Sequence, residues 1–499
     1  MSILIKNGTV VNHDWEGAAD VLIEGGKIAA VGAGLPTPDG ARVIDAKGKL
    51  VIPGGIDTHT HCQLPFMGTY AVDDFEYGTR AAVAGGTTCL IDFVIPSKGQ
   101  SLVDNYKQWR EWADPNVACD YALHVAVTWY DGRGGQVERE LEELARDHGV
   151  SSLKVFMAYE GVFMLDDGDI YEVMKVAKRM GMMTMVHAEN GKMVTKGVEE
   201  MHKAGIYGPE GHPMSRPEEV EEEATKRVLM IGNRVNTPTY IVHVNSAMAA
   251  AQIGEAKRKN WRSFGEVIAA GLGVDGTHCW HHDFSHACRY IMGPPLREDP
   301  TVKVKLMEAL AAGVLDTVGT DNCTFTGEQK AMGKDDFAKI PNGVNGIEDR
   351  MSMVFTQGVK KGMLTYKQFV HATSFRATQL FNLPTKGKIA VGYDADVVVW
   401  DPQAERTISV KTHHHHPKLD FNIFEGMKVF GVADYTISRG VVVWENGTLS
   451  TTKGHGKYVH RPTHGVPFDG IEQKDEERDV KKRRVERQPY TGPVWAPAK

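Results

Sequence analysis

The middle of this chain alternates short apolar β-type runs with amphipathic helical stretches, and this alternation limits the fold more than any other feature. The β-type runs are LVIPGGID, TTCLIDF, DYALHVAVT, SSLKVFM, MTMVHA, TYIVHV, RSFGEV and LDTVGTD. Segments with apolar residues at three- and four-residue spacing lie between them, at 137–148, 169–180 and 218–231. Parallel strands joined by crossover helices produce this pattern, and a closed barrel requires eight of them. We therefore predict an α/β fold with a (β/α)8 TIM-like barrel.

Both ends of the chain are rich in short β-type runs separated by turn signals, and Gly25-Gly26 is placed as a hairpin turn. Neither end alone holds enough strands for a stable two-layer packing, so we expect the two ends to form one β-sandwich domain. The predicted domains are a β-sandwich from 1–55 and 386–468, a catalytic barrel from 56–385, and a C-terminal arm from 469–499.

Composition excludes several classes of protein. The chain has 57 Lys plus Arg against 64 Asp plus Glu, a formal charge of −7, which argues against binding nucleic acid through bulk positive charge. No run reaches the roughly 18 apolar residues of a membrane span. The first residues lack the pattern of a secretory signal, and the six cysteines show no CxxC spacing. We expect a cytoplasmic protein with no membrane or nucleic-acid partner.

The end of the chain differs from the rest. Of the fourteen residues 474–487, twelve are charged, and Tyr490 and Trp495 follow. A solvated arm is the simplest interpretation of the charged stretch. Large aromatic residues are unusual in a free tail, so we expect this arm to contact a neighbouring subunit.

Histidines stand at the ends of several predicted barrel strands. His59 and His61 follow LVIPGGID, and side chains two apart on an extended strand point to one side, so both imidazoles can bind one metal ion. His187 ends the run GMMTMVH, and His243 ends PTYIVH. A pair of solvated loop histidines is the alternative for His59 and His61, but their place directly after a barrel-type strand favours a ligand pair, whereas a single histidine after a strand is more often structural than a ligand. Several on separate strands of one barrel favour a metal site.

Asp321 and Lys154 fall at the same end of the predicted barrel. Asp321 closes the last strand, where a carboxylate either caps the next turn or stands beside the histidines. Lys154 interrupts the buried-looking run SSLKVFM, and an ammonium group, which has only donors, cannot bind a metal. Spacing alone leaves its role open. The histidine run 413–416 does not aim ligands at one point, and we assign it no catalytic role.

Longer motifs point to a family. They are PGGIDTHTH, PFMGTYAVDDFEYGTRAAVAGGTT, KVFMAYEG, MVHAENG, SRPEEVEEEAT, IVHV, TDNCTF, KIPNGVNGIEDRM and GYDADVVVWDP, in order from about residue 3 to about residue 446. On these motifs the chain resembles the amidohydrolase superfamily, specifically its dihydropyrimidinase and D-hydantoinase branch. The resemblance implies hydrolysis of cyclic amide bonds in dihydrouracil, dihydrothymine or 5-substituted hydantoins, which yields N-carbamoyl amino acids.

The resemblance also implies two divalent metal ions, usually zinc. His59, His61 and Asp321 would hold one ion, and His187 and His243 the other. Lys154 would react with carbon dioxide, and the resulting carbamate (N6-carboxylated lysine) would bridge the two ions. As an anionic oxygen ligand it suits a borderline cation, which removes the difficulty posed by an ammonium. Asp321 would take a proton from the attacking water and pass it to the leaving nitrogen.

Substrate contacts follow from the same resemblance. Tyr159 would hydrogen-bond the developing oxyanion, and main-chain groups at Gly293 and Asn342 would bind the imide edge of the ring. Gly293 replaces the serine of the family, and Asn322 replaces its usual histidine. An apolar pocket for the ring substituent is expected from Leu64, Phe66, Phe93, Phe156 and Tyr159.

The resemblance extends to dihydroorotases and allantoinases, which share this scaffold. Dihydroorotases carry an arginine just after the HxH pair, whereas Cys62 and Gln63 follow His61 here. Allantoinase or another cyclic-imide hydrolase remains the alternative. Non-enzymatic adaptors of the collapsin-response type have lost metal ligands, and all six positions are intact in this chain. The family implies a homotetramer that acts on a small cyclic ureide.

Overall fold

Seven short strands precede the barrel in the computed structural model, which describes residues 2–495. They are β1 (Ile3–Lys6), β2 (Thr9–Val11), β3 (Glu16–Ala18), β4 (Asp20–Glu24), β5 (Lys27–Gly32), β6 (Arg42–Asp45) and β7 (Leu50–Pro53). β4 and β5 pair antiparallel across Gly25 and Gly26, whose φ angles are +58° and +78°. Two consecutive residues with positive φ make the turn that matches strand twist, and glycine adopts it without strain. The predicted hairpin turn is confirmed.

Ten strands follow in the middle of the chain. They are β8 (Gly55–Thr60), β9 (Pro65–Phe66), β10 (Thr69–Tyr70), β11 (Thr87–Val94), β12 (Asp120–Ala126), β13 (Ser152–Phe156), β14 (Met183–His187), β15 (Thr239–Val244), β16 (Ser263–Ile268) and β17 (Thr317–Gly319). β9 and β10 form a small hairpin. The other eight form one parallel sheet in the order β17-β16-β15-β14-β13-β12-β11-β8.

Hydrogen bonds beyond the end of β17 close this sheet into a barrel. The Asp321 N–H donates to the His59 carbonyl at 2.9 Å, and the His61 N–H donates to the Asn322 carbonyl at 2.9 Å. The seam therefore runs through three of the predicted ligands, His59, His61 and Asp321. The predicted eight-stranded barrel is confirmed.

The run LVIPGGID is two strands, and its prediction as one barrel strand is wrong. β7 pairs with β18 (Val397–Thr407) of the chain's C-terminal part, whereas β8 pairs with β11 of the barrel. The change of sheet occurs at Gly54, where a Cβ would lie 2.0 Å from the Thr88 hydroxyl oxygen. His59 consequently lies on the first barrel strand itself, and only His61 follows its end.

Helices fill the connections between the barrel strands, and further helices follow β17, the last of these strands. They are α1 (Phe75–Ala84), α2 (Leu102–Ala113), α3 (Gln136–Asp147), α4 (Asp167–Met180), α5 (Gly191–Lys203), α6 (Gly211–Met214), α7 (Glu218–Val235), α8 (Ala247–Arg258), α9 (Ala269–Gly273), α10 (Phe284–Ala287), α11 (Thr301–Ala311), α12 (Gly327–Lys330), α13 (Arg350–Val354), α14 (Tyr366–Val370), α15 (Arg376–Phe381) and α16 (Ile471–Glu477). The three helices predicted from periodicity are present as α3, α4 and α7. The Asp166 carboxylate caps α4 by accepting from the Asp169 N–H, and Gly181 ends it with φ +67°.

The remaining strands are β18, β19 (Lys428–Ser438), β20 (Val441–Glu445) and β21 (Thr448–Leu449). They join the N-terminal strands in a seven-stranded sheet, β21-β20-β19-β18-β7-β2-β3, which accompanies the four-stranded sheet β5-β4-β1-β6. Apolar residues of both sheets share one core that includes Ile5, Val21, Val51 and Val399. The predicted fold class, a barrel with a β-sandwich built from both chain ends, is confirmed.

The start of the predicted C-terminal arm packs on the barrel. In α16, the Asp475 carboxylate accepts hydrogen bonds from Lys178 at 2.6 Å and Asn236 at 2.9 Å. Further along, Tyr490 and Trp495 are 75% and 83% exposed in the single chain. The domain limits and the arm's role in assembly stay predictions.

Among the helices of residues 2–495, none has the length and apolar character needed to cross a bilayer.

Candidate active site

The six predicted ligands meet at the C-terminal end of the barrel, and each is at most 9% exposed. The first group lies where β8 meets the end of β17. The Asp321 Oδ1 atom lies 3.1 Å from His59 Nε2 and 3.0 Å from His61 Nε2. Lys154 on β13 brings its Nζ to 3.2 Å from the same His59 nitrogen. These atoms converge on one small volume.

The second group adjoins the first. His187 ends β14 and His243 lies on β15, and His187 Nδ1 is 2.9 Å from His243 Nε2. The ring centroids of His59 and His243 are 5.3 Å apart. The structure therefore brings all six residues together as two neighbouring clusters of nitrogen and oxygen atoms.

Two carboxylates orient the histidine rings, and the sequence analysis missed both. On β16, Glu266 lies 2.7 Å from His59 Nδ1, which leaves Nε2 facing the cluster. Glu189 lies 2.8 Å from His187 Nε2, which leaves Nδ1 facing the cluster. Such carboxylates hold a ligand histidine in one tautomer and orientation. The one sequence sign of Glu266 is that it is an acidic residue inside the apolar strand run RSFGEV. The sign of Glu189 is its position two residues after His187.

Ionisation of four of the six predicted ligands suits metal binding. Burial lowers the pKa of His61 to about 4 and also lowers the pKa of His187 and His243, so these imidazoles are neutral. Burial opposes the charge of Asp321, but the adjacent His59 and His61 hold the pKa of this carboxyl well below its usual range. Neutral imidazoles and an ionised carboxylate are the forms that bind divalent cations. Burial also lowers the pKa of Lys154 to about 8.

The backbone is in the left-handed region at two of the predicted metal ligands and at Tyr159. φ is +41° at His243, +54° at Asp321 and +62° at Tyr159. Side-chain-bearing residues other than asparagine and aspartate rarely adopt this region, and it is concentrated at functional sites because surrounding structure must hold it there. His243 and Tyr159 are therefore placed by their packing rather than by local preference, whereas an aspartate such as Asp321 adopts this region more readily.

A pocket opens directly onto the two clusters. Its lining comprises His61, Leu64, Phe66, Ile95, Lys154, Phe156, Tyr159, Phe163, His187, His243, Gly293, Asp321, Cys323, Asn342 and Gly343. The lining includes every predicted substrate contact except Phe93, which is fully buried with its ring 4.6 Å from that of His59. The expectation that Phe93 lines the pocket is wrong, because it packs behind the histidine. Ile95 and Phe163 line the apolar wall and were missed.

Most of the chain matches known proteins. Residues 50–443 match the amidohydrolase family. The chain belongs to this family. It is 56% identical to a dihydropyrimidinase of Dictyostelium discoideum over 98% of this chain and 96% of that protein. It is 52% identical to a dihydropyrimidinase of Rattus norvegicus over 99% and 95% of the two chains. The crystal structure of dihydropyrimidinase from Brevibacillus agri superposes with a TM-score of 0.90 at 42% identity, covering 94% of this chain and 100% of that one. The predicted family is confirmed, and the amidohydrolase family implies divalent metal ions.

Tyr159 and Gly293 lie next to each other in the pocket of this amidohydrolase. Burial raises the pKa of Tyr159 to about 12, so the phenol keeps its proton and can donate it in a hydrogen bond. A Cβ at Gly293 would lie 3.2 Å from the Tyr159 hydroxyl. Glycine therefore leaves open the space beside this donor, where the family has a serine.

Asn322 serves the barrel end rather than the pocket. Its Oδ1 accepts from the Gly346 N–H at 3.0 Å, and its amide donates to Asp73 at 3.2 Å. His415, from the histidine run 413–416, lies 2.6 Å from the same Asp73 carboxylate. One member of that run thus supports the loop behind Asp321 through an ion pair.

Proposed function

We propose that this chain is a dihydropyrimidinase or hydantoinase that hydrolyses the ring amide of 5,6-dihydropyrimidines or 5-substituted hydantoins to N-carbamoyl amino acids. One observation carries this proposal: two clusters of metal-binding side chains share a pocket with a protonated tyrosine and an apolar wall. The named relatives, which match nearly the full chain, support the same reaction.

The proposed cofactors are two zinc ions and a carbamate on Lys154. His59, His61 and Asp321 would hold one ion, His187 and His243 the other, and the carbamate both. The ligand atoms of the first three lie within 4.8 Å of one another. In residues 2–495, no carboxylate lies within 4.0 Å of the Lys154 Nζ, although this lysine is 2% exposed. Two bound divalent cations would supply an activated water and polarise the ring carbonyl.

The chain's own residues perform the remaining steps. Tyr159 donates a hydrogen bond to the carbonyl oxygen as it gains negative charge. Asp321 accepts a proton from the attacking water and returns it to the ring nitrogen as the C–N bond breaks. Main-chain groups at Gly293 and Asn342 bind the imide edge and orient the ring.

The apolar wall selects among cyclic ureides. Leu64, Phe66 and Phe156 line the pocket together with the metal clusters, and Ile95 and Phe163 complete the apolar wall. A hydrogen, methyl or aromatic ring substituent suits this wall, whereas the polar ureido group of allantoin would lose its hydrogen bonds to water there. The wall therefore favours dihydropyrimidines and hydantoins over allantoin.

Metal analysis combined with turnover tests the proposal. Protein purified without chelator should contain about two zinc-like ions per chain and should open dihydrouracil, dihydrothymine and phenylhydantoin, with allantoin as the comparison substrate. Chelation should abolish turnover, and added zinc should restore it. A fully active sample without transition metal would contradict the mechanism, and a preference for allantoin would contradict the substrate class.

The proposed assembly is a cytoplasmic homotetramer in which the arm contacts a neighbouring subunit. The exposure of Tyr490 and Trp495 supports it, because exposed aromatic anchors are typical of interfaces. Truncation after Asp469 should lower the mass in solution measured by light scattering. The truncation also removes α16, so the double substitution Tyr490→Ser and Trp495→Ser tests the two aromatic side chains alone, with α16 still packed on the barrel. An unchanged tetramer in both variants would show that the arm is only solvated.

A further inference from the structure

Lys330, the last residue of α12, is fully buried, which is unusual for a lysine. Its Nζ donates to the carbonyls of Ile291 at 2.8 Å, Pro341 at 2.6 Å and Gly343 at 2.7 Å. No carboxylate within residues 2–495 forms a salt bridge with it. Three carbonyl acceptors match the three donors of one ammonium group.

These carbonyls belong to the two segments that carry Gly293 and Asn342. We call residues 291–294 and 341–343 the ring-reading loops. Lys330 therefore joins the two loops. The Gly343 N–H also donates to the Ile291 carbonyl at 3.0 Å, so the loops contact each other directly. The lysine adds three hydrogen bonds to the one that joins the two loops directly.

Other side chains hold the first ring-reading loop in the same way. His212 donates from Nε2 to the Met292 carbonyl at 2.7 Å, and burial lowers its pKa to about 3, so the ring is a neutral donor. Asn245 donates to the Pro294 carbonyl at 2.9 Å. In the described part of the chain, the main-chain groups of Gly293 have no protein partner. The carbonyls on both sides are thus occupied, and Gly293 is left for a ligand.

Burying the Lys330 ammonium without a carboxylate partner costs free energy of folding. Burial without a carboxylate lowers the pKa of Lys330 to about 7. A methionine would fill similar space without burying a charge, but it would leave three carbonyls without their donor. The lysine is therefore better suited to fixing the loops than to packing.

We propose that Lys330 is a positioning residue for substrate recognition. It holds the ring-reading loops at one spacing, so that the main-chain groups of Gly293 and Asn342 meet the same edge of a cyclic ureide. This inference rests on the proposed function, in which those groups bind the ring. Lys330 contacts none of the six predicted metal ligands, so its effect falls on binding of the ring and not on metal content.

Kinetics of the metal-loaded enzyme test the inference. Lys330→Met should raise KM for dihydrouracil about tenfold and change kcat less than about threefold, because loosened loops weaken binding in the ground and transition states alike. Metal content should stay at the wild-type value. Lys334→Met is the matched control, since Lys334 is exposed and pairs with Asp335. Its KM should equal that of the wild type.

A second variant and a second measurement guard against misfolding. Lys330→Gln keeps amide donors and should show a KM between those of wild type and Lys330→Met. Hydrogen exchange of folded variants should be faster in the ring-reading loops and unchanged in β13 and β14. A folded Lys330→Met or Lys330→Gln enzyme with wild-type KM, or one that loses metal, overturns the inference. Wild-type enzyme that binds metal but opens no cyclic ureide overturns the proposed function, and this inference with it.

Discussion

The two halves of the pocket are built by different means. The metal half consists of side chains on or just after strands β8, β13, β14, β15 and β17, and the hydrogen-bond register of the barrel sets their spacing. The ring-reading half consists of main-chain groups on loops, and buried side chains such as Lys330 and His212 set their spacing. Under the proposed function, the barrel would supply the chemistry, whereas substrate choice would depend on loops that can change without disturbing it.

The halves also differ in charge. Asp321 and the carboxylates of Glu266 and Glu189 surround the histidines of the metal half. The ring-reading half offers a buried ammonium behind its loops and uncharged main-chain groups in front of them. Under the proposed function, cations would be attracted to one side, and a neutral imide would be bound by hydrogen bonds on the other. Substitutions in the metal half should therefore act on metal content and kcat, and those in the ring-reading half on KM.

The largest effect is expected at Lys154. Lys154→Ala should lower kcat by about a thousandfold or more and reduce metal occupancy, because the proposed bridging ligand is lost. Lys154→Arg should be no better, since a guanidinium cannot form a stable carbamate or accept a metal bond. Elemental analysis beside turnover measures both effects.

Rescue sharpens the Lys154 experiment. Acetate or propionate added with metal should restore part of the turnover of Lys154→Ala in a dose-dependent way, because a short carboxylate can occupy the vacated space. A Lys154→Arg enzyme with near wild-type turnover and full metal content would show that this residue does not bridge the ions.

Tyr159 comes next, since it stands between the halves. Tyr159→Phe should lower kcat by about a hundredfold to a thousandfold, the effect of removing one donor to an oxyanion. KM and metal content should change little. Steady-state kinetics with elemental analysis checks this. Loss of metal in the variant would place the tyrosine in the metal half instead.

A smaller effect is expected at Glu266, which orients His59. Glu266→Gln should weaken metal affinity by about tenfold to a hundredfold, the usual consequence of altering a carboxylate behind a ligand histidine. Activity should recover when excess zinc is supplied. Metal titration of stripped protein measures the change. Unaltered affinity would mean that the barrel alone holds the ring of His59.

His415 should affect stability and leave kcat nearly unchanged. Burial opposes its charge, but Asp73 and Glu348 raise the pKa of His415 from 6.5 to about 9. The ion pair therefore stabilises the fold fully below pH 6.5, and this contribution, up to about 3 kcal/mol, is lost as the pH rises through 9. Urea unfolding at pH 6.5 and 9 should show the loss in wild type and not in His415→Gln.

A matched control for His415 is His282→Gln, since His282 is exposed. The control should keep the wild-type dependence of unfolding free energy on pH. Equal pH dependence in wild type and His415→Gln would show that the pair with Asp73 is not the source of the effect.

Periodicity and strand-end residues predicted much of the molecule. The eight barrel strands and the gathering of His59, His187 and Asp321 follow from local patterns, because parallel strands bring their carboxyl ends to one rim. The division of LVIPGGID between two sheets does not follow, since a continuous apolar run carries no mark of the sheet that each half joins. The glycine pair before Ile56 marks where the run divides, but not which sheet each half joins.

The amino-acid sequence by itself determined the barrel, the sandwich of both chain ends and the identity of the candidate ligands, because these depend on periods of two and 3.6 residues and on motif order. Only the tertiary structure decided which nitrogen His59 and His187 present, and that Lys330 joins the ring-reading loops. Glu266 lies 207 positions from His59, and Lys330 lies 39 from Ile291. Contacts over such separations form when the chain closes on itself, and no local pattern encodes them.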